Sequence, residues 1–232
     1  MKTISIIVWL LVLPLSLFAK EIQREKSKIK CTYRHTTKPF IGDTLKVTEE
    51  FVLISSDKVS MYLSAKAFNI SQKANELFSQ KTSELFISSF QSGGRILNQM
   101  PKTKINNYKV YKFSDSRKVI TLTSDFITPF QLEESMDDFD WIITNEMKEI
   151  LGYQCIKATL GFGVYHLEVW FAPEIPISDG PFVFCGLPGL ILKIQDTEKR
   201  HSFELLTIEK DGDIEFTIAH PEDVFKGKIT KG

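Results

Sequence analysis

Apolar and polar residues trade places every second position along much of this chain, and that period restricts it to strands. Ile29, Cys31, Tyr33 and His35 alternate with Lys28, Lys30, Thr32 and Arg34, the pattern of a strand with one buried face. Residues 44–54 read as a second strand, paired with 58–64 across Ser55-Ser56-Asp57. Residues 108–113 and 118–123 form a hairpin around Ser114-Asp115-Ser116. Residues 154–160 and 164–172 flank Gly161-Phe162-Gly163, read as a turn, with Tyr165, Leu167, Val169 and Phe171 on one face and His166 and Glu168 on the other. Residues 202–209 and 214–218 bracket Asp211-Gly212, a short-hairpin signal. Turns this short join antiparallel neighbours. The expected fold is therefore all-β: an antiparallel curved sheet or partial barrel.

Three segments break the alternation. Between residues 71 and 90 the apolar positions Ala74, Leu77, Phe78, Leu85 and Phe86 approach helical spacing, and Gly93-Gly94 could end it. One helical insertion over about 71–90 is expected, lying on a face of the sheet. Residues 133–140 carry Glu133, Glu134, Asp137, Asp138 and Asp140 and read as a solvated acidic loop, since their spacing does not match an EF-hand. Residues 172–189 contain seven prolines and glycines, too many for regular structure, and a loop of that length follows a defined path. At its end Leu187-Pro188-Gly189-Leu190 suits a type II turn, with proline presetting φ and glycine supplying a positive one. Leu190 to Ile194 then open a strand.

The N-terminus has the three-part layout of a secretory leader: Lys2, an apolar run through Phe18, and small Ala19 before polar Lys20-Glu21. The run is shorter than the roughly 20 residues a spanning helix needs. The expected organisation is a signal peptide over 1–19 and a single β-rich domain over 20–232, exported to the periplasm or cell envelope, with no membrane span after the leader is removed. Lysine plus arginine and aspartate plus glutamate balance at 29 each, which leaves no electrostatic footprint for nucleic acid. Eighteen phenylalanines among 232 residues point to a large aromatic core or an apolar ligand cavity. Cys31, Cys155 and Cys185 allow at most one internal disulfide; one bridge and three buried thiols are both open.

Motifs for chemistry are sparse. There is no Gly-x-Ser-x-Gly, no P-loop, no Cys-x-x-Cys and no pair of histidines at zincin spacing among His35, His166, His201 and His220. Cys31 and His35 share a strand face, which a core-facing strand explains. No catalytic residue, metal or cofactor is assigned.

The run Gly186-Leu187-Pro188-Gly189-Leu190-Ile191, with Trp141-Ile142-Ile143, residues 150–158 around Cys155, Trp170-Phe171-Ala172 and Gly180-Pro181 before it, resembles the GLPGLI family of small exported proteins found largely in Bacteroidetes. The resemblance is clear over residues 140–196 and looser upstream. Two positions depart from the family pattern: Val164 follows Gly163 where arginine is common, and Phe182 follows Gly180-Pro181 where tryptophan is common. The resemblance implies export, an envelope location and a β-rich fold, and supplies no catalytic residues. It makes Cys155, Trp170, Gly180, Pro181, Gly186, Leu187, Pro188, Gly189, Leu190 and Ile191 a signature read as structural. The function expected is a non-enzymatic binding, carrier or scaffold module for an apolar or peptide ligand or an envelope protein. The alternative is a secreted hydrolase with scattered catalytic residues, His166 and Glu168 facing the Pro-rich loop being the first suspects.

Overall fold

The computed structural model describes residues 24–38, 46–80, 108–125, 128–210, 214–218 and 228–230, with side chains placed for all but 74–80, 124–125, 128–130 and 228–230. The leader at 1–19 lies outside them. Among the described residues fourteen strands appear in chain order: β1 Arg24–Lys26, β2 Ile29–Thr37, β3 Val47–Ser55, β4 Val59–Ser64, β5 Lys109–Phe113, β6 Lys118–Asp125, β7 Thr128–Ser135, β8 Ile142–Ile150, β9 Tyr153–Phe162, β10 Tyr165–Ala172, β11 Leu190–Asp196, β12 His201–Lys210, β13 Glu215–Thr217 and β14 Lys228–Thr230. An α-helix, α1 (Ala65–Gln80), follows β4 directly.

Twelve strands form one sheet in the order β14-β7-β6-β5-β4-β3-β2-β12-β11-β10-β9-β8. It is two antiparallel meanders, β2 to β7 and β8 to β12, joined where β12 lies antiparallel to β2. Among the described pairs only β14 on β7 is parallel. The sheet is open, with β8 at one edge. It is also strongly curled. Phe162 on β9 and Thr121 on β6 line one cavity, although eight strand spacings, roughly 38 Å if flat, separate those strands.

The expected all-β sheet is thus present, with the hairpins at 55–57 and 114–116 in place. Three details differ. Gly161 and Phe162 belong to β9, and the reversal is the two-residue turn Gly163-Val164, with Gly163 at φ 59°. The helix begins at Ala65 rather than at 71, because Phe68 anchors its first turns against Val52, Ile54 and Leu63; residues 81–90 of the expected helix lie outside the described residues. The hairpin across Asp211-Gly212 does not form. Both edges of β12 are taken, by β11 and β2, so β13 pairs with β1 instead, and Phe216 and Ile218 pack beside Phe68.

The sheet buries its two faces differently. The concave face carries Cys31, Tyr33, Phe51, Leu53, Tyr62, Val110, Val119, Val169 and Phe171, and the loop 173–189 packs into it through Ile175, Val183, Phe184, Cys185 and Leu187. The other face is covered over β3 to β6 by α1 and the β13 segment. This is why residues 51–55 and 59–64 are buried without alternation, the pattern of strands covered on both sides.

Candidate functional site

The loop between β10 and β11 organises the concave face. It is fastened to β5 by Lys112, whose ammonium donates to Asp179 Oδ1 at 2.5 Å, Gly180 O at 2.6 Å and Phe184 O at 3.2 Å. The two side chains are only 2% and 8% exposed. Lys112 shares the parity of Val110 on β5, so the strand itself aims it inward. The Asp179 carboxylate also accepts from Gly180 N at 2.7 Å, and Ile191 N donates to Asp179 O at 2.9 Å. Two further ties come from Tyr33, whose hydroxyl donates to Ile191 O at 2.8 Å, and Trp141, whose indole N–H donates to Cys185 O at 2.8 Å.

The glycines set how closely the loop can approach. A Cβ on Gly189, at φ 153°, would stand 2.3 Å from Ala172 O, and one on Gly180 would stand 2.8 Å from Ile191 Cβ. Gly186 needs its φ of 96° but has nothing nearer than Trp141 Nε1 at 3.5 Å. The end of the loop is not the type II turn that Pro188-Gly189 suggests. Gly189 N donates to Leu187 O, closing a three-residue turn, and Leu190 N turns to Ile175 O. Leu190 N, the donor that would close a type II turn, is instead taken by Ile175 O at 3.0 Å.

Of the other signature residues, Leu187, Leu190 and Ile191 are buried, as is Pro181, while Pro188 is exposed. Cys155 is buried on β9 opposite Lys148. Trp170 lies under Lys148, whose ammonium is 3.9 Å from the ring. All three cysteines are free and buried. Burial raises each thiol, Cys155 and Cys185 to about 11.

Two cavities flank the loop. The polar one, of about 340 Å³, is lined by Ser55, Ser60, Lys112, Arg117, Ser178 and Asp179 among others. Ser55, Ser60 and Lys112 are register partners on β3, β4 and β5, and the buried Ser60 hydroxyl has no hydrogen-bond partner among the described residues.

The second cavity, of about 410 Å³, is aromatic. Tyr108, Phe162, Tyr165, Phe182, Phe184 and Phe203 line it with His35, His201, Leu167, Ile194, Thr121 and Thr123. Its walls come from β2, β6, β9, β10, β11 and β12, and the loop adds Phe182 and Phe184. The rings pack on one another: His35 stacks on Phe203 at 4.1 Å and faces His201 at 5.8 Å, while Tyr108 meets Phe182 edge-on at 5.5 Å. Burial, with His201 nearby, pushes His35 down to about 4, so both its nitrogens are neutral at pH 7. Thr37 Oγ1 lies 3.3 Å from His35 Nε2.

The residues suspected for hydrolysis do not meet in a site. His166 is exposed, and Glu168 pairs with Lys157 at 3.0 Å. Both sit on the face of β10 opposite Leu167, Val169 and Phe171, where the Pro-rich loop packs, so neither faces that loop. Cys31 and His35 do share the concave face, with Cys31 in the core. The acidic run is not a loop throughout. Glu133 and Glu134 end β7, and Met136–Asp138 is one 3-10 turn capped by Ser135. Glu133 pairs with Lys118, Asp137 pairs with Arg117 and Asp138 accepts from Ser135 N, and no group of three metal-ligating side chains occurs among the described residues.

A family model described as a protein of unknown function (Porph_ging) matches residues 163–193, that is, β10, the loop and the start of β11. No curated protein matches. Crystal structures of PNGF-II in two crystal forms align with TM-scores of 0.54 and 0.53 at 14% and 15% identity, covering 89% and 87% of this chain. This chain spans only 31% and 30% of theirs. A LolA superfamily protein from Nitrosomonas europaea aligns at TM-score 0.29 and 8% identity, too distant to carry an argument. This chain therefore shares its fold with a segment of PNGF-II, and residues 163–193 match a family model of unknown function.

Proposed function

We propose that this chain is an exported, non-enzymatic binding or carrier module of the periplasm or cell envelope, with the aromatic cavity as its ligand site. The carrying observation is that cavity: about 410 Å³, within the range of small-molecule sites, and walled mainly by rings rather than by charges. Among the described phenylalanines, Phe51 and Phe171 lie in the core and Phe162, Phe182, Phe184 and Phe203 line this cavity. In this reading the GLPGLI-type signature is a structural clasp. Gly180 and Gly189 allow the close approach, Lys112 and Asp179 lock it, and the loop then presents Phe182 and Phe184 to the ligand.

The leader-like segment at 1–19, the single domain at 20–232 and membership of the GLPGLI family belong to the same proposal. No helix among the described residues is long and apolar enough to cross a membrane. Native mass spectrometry of the mature chain after gentle extraction tests the reading. A retained small apolar adduct, lost when Phe203 is replaced by aspartate, is the expected result. A bare chain that also fails to take up any hydrophobic probe would remove the carrier role.

A further inference from the structure

Thr121 carries an unexplained polar group. Its side chain shares the parity of Val119 and Thr123 on β6, the residue is 8% exposed, and its hydroxyl has no hydrogen-bond partner among the described residues. A buried hydroxyl without a partner costs about 1–3 kcal/mol, so the site invites an explanation. Around it the cavity is polar at few points and charged at none: no described lining residue is Asp, Glu, Lys or Arg. Two described charges lie just outside the lining. Burial, with the field of Glu49 second, raises the Tyr108 hydroxyl, and Glu49 accepts from Ser64 Oγ. Arg200 lies 5.0 Å from the Tyr165 ring and is paired with Glu198 at 2.9 Å. An anionic group inside would meet the field of Glu49 and no lysine or arginine among the described lining residues, a large desolvation cost. Most of the lining side chains carry rings, and only Leu167 and Ile194 are aliphatic.

Resting on the carrier reading above, we propose that the aromatic cavity takes an uncharged aromatic ligand bearing one hydrogen-bonding group, which the Thr121 hydroxyl meets. The aromatic walls offer edge-on and offset contacts that a saturated chain cannot return. Thr121 supplies the single directional contact, and the His35 ring, stacked on Phe203, lines the cavity without adding charge.

The test is displacement of the neutral dye phenylnaphthylamine by a matched set of probes: naphthol, methylnaphthalene, naphthoate and the saturated decahydronaphthol. In the wild type, naphthol should displace the dye several-fold better than methylnaphthalene, as one hydrogen bond predicts. It should also outcompete naphthoate by at least about tenfold and decahydronaphthol by a few-fold. In Thr121→Val, a shape-preserving change, the naphthol advantage over methylnaphthalene should vanish while dye binding stays. Naphthoate binding as tightly as naphthol, a saturated probe binding tighter, or a naphthol advantage that survives Thr121→Val would each overturn the proposal while leaving a carrier standing. No dye binding to the wild type would instead remove the carrier reading itself.

Discussion

Replacing Lys112 with methionine should loosen the whole concave face, and the structure gives a magnitude. The lysine ammonium has three acceptors within 3.2 Å, and its side chain is 2% exposed. Methionine keeps the length and the apolar stem, so the loss is electrostatic rather than a cavity. It leaves the Asp179 carboxylate buried with Gly180 N–H as its remaining donor and leaves two loop carbonyls without theirs. Breaking a buried pair from one side costs about 3–5 kcal/mol, which for a domain of this size lowers Tm by roughly 6–20 °C. Asp179→Asn should cost less, because the amide oxygen can still accept from Gly180 N while the buried ammonium loses its counter-charge. The double variant Lys112→Met, Asp179→Asn should be milder than the sum of the singles, with a coupling of about 2 kcal/mol or more. Urea unfolding followed by circular dichroism on the four proteins measures this cycle. Singles that each cost under about 1 kcal/mol, or strictly additive effects, would refute the reasoning and leave the loop held by apolar packing alone.

Three further outcomes follow from the same geometry. Gly189→Ala should be far more damaging than Gly186→Ala, since only the former drives a Cβ to 2.3 Å from Ala172 O; melts giving the reverse order would contradict the close approach described. His35 is held at about 4 in the folded protein against 6.5 for a free imidazole, so the unfolded chain binds the extra proton between those values. Stability should be intact above about pH 6.5 and fall by about 3 kcal/mol on descending to pH 4, and His35→Phe, which keeps the stack on Phe203, should flatten that fall in urea titrations. Parallel curves for the two proteins would mean that other groups govern the acid limb. A thiol reagent should leave Cys31, Cys155 and Cys185 unmodified in the native state and modify all three after unfolding, because all are free and buried; a count below three in the unfolded chain would reveal a disulfide.

The strands were legible because their signal is local. Tyr165, Leu167, Val169 and Phe171 on one face of β10 can be read from spacing alone. Partner choice is not local, which is why β13 could be placed beside β12 when the edges of β12 were already occupied. The start of α1 was missed because Ala65 to Phe68 follows β4 with no turn residue between them. For the candidate site, the signature pointed to the loop but not to its anchor. Lys112 sits on the parity of Val110, and a lysine at an inward position was a signal that could have been weighed; its partner Asp179 lies 67 residues away in a stretch with no period. The aromatic cavity was foreshadowed only by the number of phenylalanines. Its lining comes from six strands and a loop, and no spacing rule links Thr121 to Phe184.

Ala172 and Leu190 are register partners on neighbouring strands, so the chain leaves the sheet and returns to it through one doorway. Everything between them can in principle be lifted without unpairing a single ladder residue. The frame and its filling are therefore separable in energy: the ladders have one opening free energy, and the loop has a lower one set by the Lys112 anchor and the packing of Val183, Phe184 and Leu187. In native-state hydrogen exchange, Gly186 and Ile177 should open together as one unit while the amides of β2 and β3 stay closed. Such an opening would uncover the aromatic cavity from the loop side with the sheet intact, giving a bound molecule a way out that does not require the protein to unfold.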